Sequence, residues 1–424
     1  MLLAYDQLLA EGFASGRRGS GTYACGGLGA DKSARSRNSA LPRLSRFGSF
    51  ATAAESKSIF PIRHPQSLRY DFAYGRSDLE VFPFEMWRRI LLRCARKAPV
   101  SHFDYGSTSG NPKLREAIST HLRRSRAVEC DPSQVIVVNG SQQALDLIVR
   151  VLIDPGDKVA IEEPCYQGTR EVLRAAGAKL IPVRVDKEGI TTSKLPNDAR
   201  IAFVTPSHQF PTGAILPLAR RLALLAWAKE KNAMVVEDDY DGEFRYAGQP
   251  LESLQGLDRD GRVIYVGTFS RSVFSSLRLG YLVAPTSLVA TFVGAKWLND
   301  RHTATLEQEA LAEFITSGTY ERYLRRVRRR NAARREALLE AIDENLGERV
   351  RVTGDGAGAH IVLWPKQQQD ESALISRAAG QSVGVYPLSP YYVRRPARPG
   401  MLLGYSRMRE AEIREGIRRL AKAL

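Results

Sequence analysis

Seven short apolar runs constrain the fold of this chain more than any other feature: QVIVVNG, KVAIEEP, KLIPVRV, RIAFVTP, MVVEDDY, VIYVGTF and GYLVAP. Helical patterns separate them. Short buried strands alternating with helices make an α/β domain with a largely parallel sheet. In such sheets ligands bind beyond the carboxyl ends of the strands. The polar or special residues that close the runs are therefore expected to converge on one site.

At 424 residues the chain is too long for one ordinary core, so two or more domains or subdomains are expected. Its 43% hydrophobic and 25% charged residues fit a soluble globular protein. No stretch approaches the roughly 20 apolar residues of a membrane span. Asp6 and Glu11 stand where a signal peptide would be basic and then apolar. A cytoplasmic protein without membrane contact is the expectation. Cys25, Cys94, Cys130 and Cys165 have no C-x-x-C spacing, which argues against a disulfide framework or zinc, and no metal site is expected. The net charge of +16 does not name a partner, because its distribution matters more than its sum. Residues 323 to 342 approximate an amphipathic helix with Leu324, Val327, Ala332, Leu338 and Leu339 inward and the arginines on a solvated face.

Several strand ends carry chemistry. VVNGSQQALDL reads as a strand, a turn at Asn139-Gly140 and a helix opening at Ser141-Gln142, whose free N–H groups suit a phosphate. VVEDDY puts Glu237, Asp238 and Asp239 at the end of an apolar strand, where a buried carboxylate needs a cation or a protonated ring nitrogen. IEEPCY delivers Tyr166, whose ring could stack on a planar ligand. TFSRSVFSSLRLGY supplies Thr268, Ser270 and Arg278, two hydroxyls and a guanidinium for a phosphate. A phosphate cup, a stacking ring and an acid for a pyridinium together describe a site for pyridoxal phosphate.

At the amino end, Leu2, Leu3, Leu8 and Leu9 lie at helical spacings before Gly12, and ASGRRGSGTYAC reads as a basic hairpin carrying Arg17 and Arg18. The stretch AYDQLLAEGFASGRRGSGTYA resembles the last helix and wing of the winged-helix domain of GntR-type regulators. The resemblance implies that DNA contacts fall to Arg17 and Arg18, and that further helices precede them. DNA is thus an expected partner only where the winged helix is completed upstream. Residues 1 to 25 are expected to be loosely ordered or parked on the main domain, and residues 26 to 60 have the composition of a flexible linker.

From about residue 60 onward, the strings GSQQALDL, TPSHQFPTGAILPLARR, EDDYDGEFRY, GTFSRSVFSSLRLGY and LLGYSRMREAEIREGIRRLA occur in order. They resemble the fold-type-I aminotransferases, specifically the aminotransferase-like domain of the MocR subgroup of GntR regulators. The implied fold is α/β: a large subdomain at about 95 to 300 with a mostly parallel sheet, and a smaller α+β subdomain at about 301 to 424 joined by 61 to 94. By resemblance, Ser141 and Gln142 hold the cofactor phosphate, Tyr166 stacks on the ring, Asp238 pairs with its nitrogen and Tyr240 approaches its 3-hydroxyl. Thr268, Ser270 and Arg278 complete the phosphate cup, and Tyr105 reaches the phosphate of a neighbouring subunit in a homodimer. Phe210 stands where common aminotransferases have Asn, leaving His208 as a possible polar substitute.

The family pattern Gly-Thr-Phe-Ser-Lys has arginine at its last position here, Arg271. A lysine there would form the covalent link to the cofactor and shuttle the substrate proton. Arginine stays protonated and is planar and bulkier. The expectation is non-covalent pyridoxal phosphate binding at most, little transamination, and a regulator whose effector is an amino acid or amine. Lys296 lies outside the motif. The alternative is a pyridoxal-phosphate-dependent aminotransferase acting on an amino acid.

Overall fold

The computed structural model describes residues 2–17, 19–25, 43–55, 68–246, 252–394, 396 and 398–424. The chain divides into two compact units, Met1–Phe50 and Ala51–Leu424.

All seven apolar runs become strands of one eight-stranded sheet in the larger unit. In spatial order these are Val135–Val138, Gly280–Val283, Val263–Thr268, Met234–Asp239, Ile201–Val204, Lys158–Glu163, Lys179–Asp186 and the short Gly189–Ile190. The strand Val263–Thr268 pairs in parallel with Met234–Asp239, and the parallel ladder continues to Lys179–Asp186. Gly280–Val283 is antiparallel to both of its neighbours, and Gly189–Ile190 is an antiparallel edge. Alternation along a strand feeds two faces: Val135 and Val137 enter one core, Ile136 and Val138 another. Both faces are covered, as a parallel sheet requires.

A second, smaller sheet joins Val350–Thr353, His360–Pro365, Met401–Gly404 and Tyr386–Pro387. Its core takes Tyr70 and Phe72 from the start of the domain and Ile413 and Ile417 from the last helix. The helix Thr319–Leu346 belongs to both halves: Tyr320, Leu324 and Val327 enter the large core, while Leu338, Ala341 and Ile342 enter the small one. The helices Phe84–Lys97 and Thr305–Thr316 also pack on the large core, through Trp87, Ile90, Leu311 and Phe314. Along the long helix the packing thus passes from the large core to the small one. Its arginines are not all solvated: Arg334 is buried and pairs with Asp78 at 2.7 Å.

In the smaller unit the helix Leu2–Ala10 precedes Gly12, whose φ of +75° is a left-handed stop. The hairpin Ala14–Arg17 and Gly21–Ala24 is antiparallel, with Arg17 exposed; Arg18 lies outside the described residues. The helix Arg46–Glu55 falls within the stretch that composition marks as linker. Ser45 Oγ accepts from the Gly48 N–H at 3.0 Å near its start, and alanines favour it thereafter. Among the described residues no helix is long and apolar enough to cross a membrane. The four cysteines are free thiols.

Candidate functional site

The acidic strand end sorts its three carboxylates by the period of the strand. Glu237 accepts from the Leu254 and Gln255 N–H groups at 3.1 and 3.0 Å. Asp239 is bound by buried Arg126 at 2.7 Å and by the Tyr265 hydroxyl. Asp238 points the other way, is 8% exposed, and its Oδ1 has no hydrogen-bond partner among the described residues. Burial, with Asp239, Asp241 and Glu162 adding to it and Arg271 opposing, pushes the Asp238 carboxyl up to about 7. Such an acid lacks a hydrogen-bonded cation, and a protonated ring nitrogen is one.

The helix Ser141–Leu152 opens next to it from Gly140, whose φ is +85°. A side chain is excluded there twice, by the backbone and by Arg278, whose Nη2 would lie 3.0 Å from a Cβ on Gly140. Arg278 Nη2 donates to the Asn139 carbonyl at 2.9 Å. The guanidinium thus lies beside the Asn139-Gly140 turn from which the helix opens, near its positive end. Behind this end, Asp300 accepts from Asn139 Nδ2, Gln143 Nε2 and Lys296 Nζ, each at 2.7 Å. Lys296 is buried and committed to that support.

Tyr166 caps the helix Gln167–Ala176 and is half-buried, with its hydroxyl pKa raised by burial. Arg271, Asp238 and Arg278 all act electrostatically on that hydroxyl. Phe210 packs edge-on against both Tyr166 and Tyr240, at 5.8 and 5.7 Å between ring centroids. Tyr240 reaches His208 Nδ1 at 2.9 Å, and the same nitrogen lies 2.9 Å from Asp241 Oδ2. Thr268 closes the strand Val263–Thr268, buried, with its Oγ1 accepting from the Ser270 N–H at 3.1 Å. Ser77 Oγ donates to the carbonyls of Ser270 and Arg271, both at 3.0 Å, and pins the turn.

Tyr105 is the exception. It is 78% exposed and packs on His302 at 5.8 Å, so within its own chain it is not part of this group.

Sequence reasoning passed over Gly75, Ser77, Asp241 and His360. Gly75 and Ser77 lie in a loop without a motif, and a lone histidine in the apolar strand His360–Pro365 carries no signal of its own. His208, Asp241 and His360 bring possible ligand atoms within 4.8 Å of one another. His208 Nδ1 is engaged as described, and His360 Nε2 lies 3.1 Å from the Pro211 carbonyl oxygen. His208 thus links Tyr240 to Asp241.

The model of the family described as aminotransferase class I and II matches residues 75–420. The probable rhizopine catabolism regulatory protein MocR of Rhizobium meliloti is 38% identical over all of this chain and 85% of its own length. The chain belongs to the MocR group of GntR-type regulators with a class I and II aminotransferase domain. Another MocR-type relative, the transcriptional regulator TauR of Rhodobacter capsulatus, is 34% identical over 100% of this chain and 88% of its own. Among solved structures, the α-aminoadipate aminotransferase LysN of Thermus thermophilus, complexed with N-(5'-phosphopyridoxyl)-L-leucine, superposes with a TM-score of 0.78. It is 30% identical and covers 84% of this chain and 92% of its own. The fold of this MocR-type chain is thus that of pyridoxal-phosphate-dependent aminotransferases. Its residues fit the group: an unpaired buried acid, a helix start beside a guanidinium, and a tyrosine ring.

Proposed function

We propose that this chain is a MocR-type transcriptional regulator whose aminotransferase-like domain binds pyridoxal 5'-phosphate without a covalent bond and senses an amino acid or amine. The observation that carries the proposal is the buried Asp238 carboxyl, whose Oδ1 has no hydrogen-bond partner among the described residues. Bound there, the cofactor would supply an electron-withdrawing ring. Asp238 would hold the ring nitrogen, Tyr166 would stack on its face and Tyr240 would meet its 3-hydroxyl. Ser141, Gln142, Thr268, Ser270 and Arg278 would hold the phosphate. None of these roles needs a lysine.

The chemistry that does need one is absent. Proton transfer at the substrate carbon requires a base whose neutral form is accessible, and a guanidinium has none at working pH. Burial lowers the Arg271 pKa from its ordinary value, and Tyr166, Tyr240, Asp241 and Asp238 work against that shift. Transamination is therefore impaired, and ligand binding remains. The relatives' roles as regulators support DNA as the partner, through a winged helix to which Arg17 and Arg18 would contribute. The exposure of Tyr105 supports a homodimer in which it completes the partner's phosphate site.

Gel filtration of the protein mixed with pyridoxal phosphate, before and after borohydride, tests the proposal. Cofactor should co-elute in stoichiometric amount, and denaturation after borohydride should release all of it. Failure to co-elute would sink the sensor reading, while a label fixed to the chain would restore the aminotransferase.

A further inference from the structure

This inference rests on the reading of the Asp238 site as a pyridoxal-phosphate pocket and concerns what else the pocket holds. Arg278 serves the phosphate end, over Gly140. Arg271 lies elsewhere. Its guanidinium is packed against the Gly75 backbone, with Nη1 2.6 Å from where a Cβ on Gly75 would stand, so any other residue at 75 would displace it. It lines a small cavity together with Tyr74, Phe210, Tyr240, His360 and two acids, Asp78 and Asp241. The space is about 30 Å³. Since about 10–15 Å³ admits one water, a group the size of a carboxylate fits and a second ring does not.

Among the described residues, no hydrogen bond or ion pair reaches the Arg271 guanidinium. Of the acids that line the cavity, Asp78 pairs with Arg334 at 2.7 Å, and Asp241 meets His208 at 2.9 Å through Oδ2 while its Oδ1 has no partner among the described residues; Asp238 goes to the ring nitrogen on the proposed reading. His360 is held neutral by burial, and its Nε2 is taken by the Pro211 carbonyl, so it adds no positive charge beside Arg271. A partly buried guanidinium that makes no hydrogen bond is stabilised when an anion arrives with matching acceptors. The planar fork of a guanidinium matches a carboxylate in two parallel bonds. We infer that Arg271 is a carboxylate-binding residue, and that the physiological ligand presents a carboxylate beside the pyridine ring. The position thereby reads an anion instead of handling an amine.

Two sources share that chemistry: a carboxylate carried on the ring itself, or a separate small carboxylic acid seated next to the cofactor. Titration calorimetry on the full chain distinguishes them, using pyridoxamine 5'-phosphate alone, 4-pyridoxic acid 5'-phosphate alone, and pyridoxamine 5'-phosphate with 2-oxoglutarate. The ring carboxylate should bind wild type about tenfold or more tighter than pyridoxamine phosphate, as a charge-assisted pair contributes. Arg271→Gln should abolish that preference and Arg271→Lys should keep part of it, which separates loss of charge from loss of fold. If 2-oxoglutarate tightens pyridoxamine phosphate binding in wild type but not in Arg271→Gln, the separate acid is the source. An equal preference in wild type and Arg271→Gln, with no 2-oxoglutarate effect, overturns the inference while pyridoxamine phosphate binding keeps the cofactor reading intact. No binding of any pyridine phosphate to wild type would overturn both.

Discussion

Asp238 and its neighbours show how one residue's position on a strand decides its chemistry. Glu237 is held by two backbone N–H groups and Asp239 by Arg126 and Tyr265 through Oδ2, whereas Asp238, between them, has no cation in hydrogen-bond contact among the described residues. Its folded-state pKa, about 7, lies above the ordinary carboxylate value. The stability it contributes is therefore fully present below the unfolded value of about 4 and is lost as pH rises through about 7. Glu162, also raised to about 7 by burial, acts in the same sense. The cofactor-free protein should show a melting temperature that falls between pH 5 and pH 8. Asp238→Asn should flatten that fall and weaken pyridoxal phosphate retention by about tenfold or more. Thermal scans at stepped pH check the first effect and equilibrium dialysis the second. A variant that keeps the wild-type slope and affinity would remove Asp238 from the site.

At the scale of elements, the long helix Thr319–Leu346 ties the two cores together, and the Arg334–Asp78 pair stands where they meet. Arg334 also donates to the Ser406 carbonyl, while Arg330 lies 3.3 Å from Asp78 as a second partner. Arg334→Met should cost about 3 kcal/mol in urea unfolding, the lower end for breaking a buried pair, because Arg330 remains. A loss under about 1 kcal/mol would place the pair among surface contacts. The strands were legible in the sequence because each is a short apolar run that feeds two cores by alternation. The arginine-rich helix was legible as a helix but not as a bridge, since periodicity shows which face is apolar and not which core receives it. Arg334 reads like its exposed neighbours until Asp78, distant in sequence, is placed opposite.

At the scale of the whole molecule, the residues proposed to face the cofactor were legible as a group because they close the strands of a parallel sheet, where ligands gather. Ser141, Gln142, Tyr166, Asp238, Thr268 and Ser270 sit at or just beyond such ends or at helix starts. Gly75, Ser77 and His360 were not legible, because they come from a loop and from the second sheet, and only tertiary packing brings them to Arg271. The account as a whole turns on that arginine: an aminotransferase fold in which cofactor binding survives and covalent chemistry does not. Borohydride reduction of wild type and Arg271→Lys, each loaded with pyridoxal phosphate, followed by peptide mass analysis, tests it most directly. A pyridoxyl label fixed at residue 271 of the variant, with wild type unlabelled yet retaining cofactor, is the expected result. A label fixed at any lysine of wild type would contradict the account.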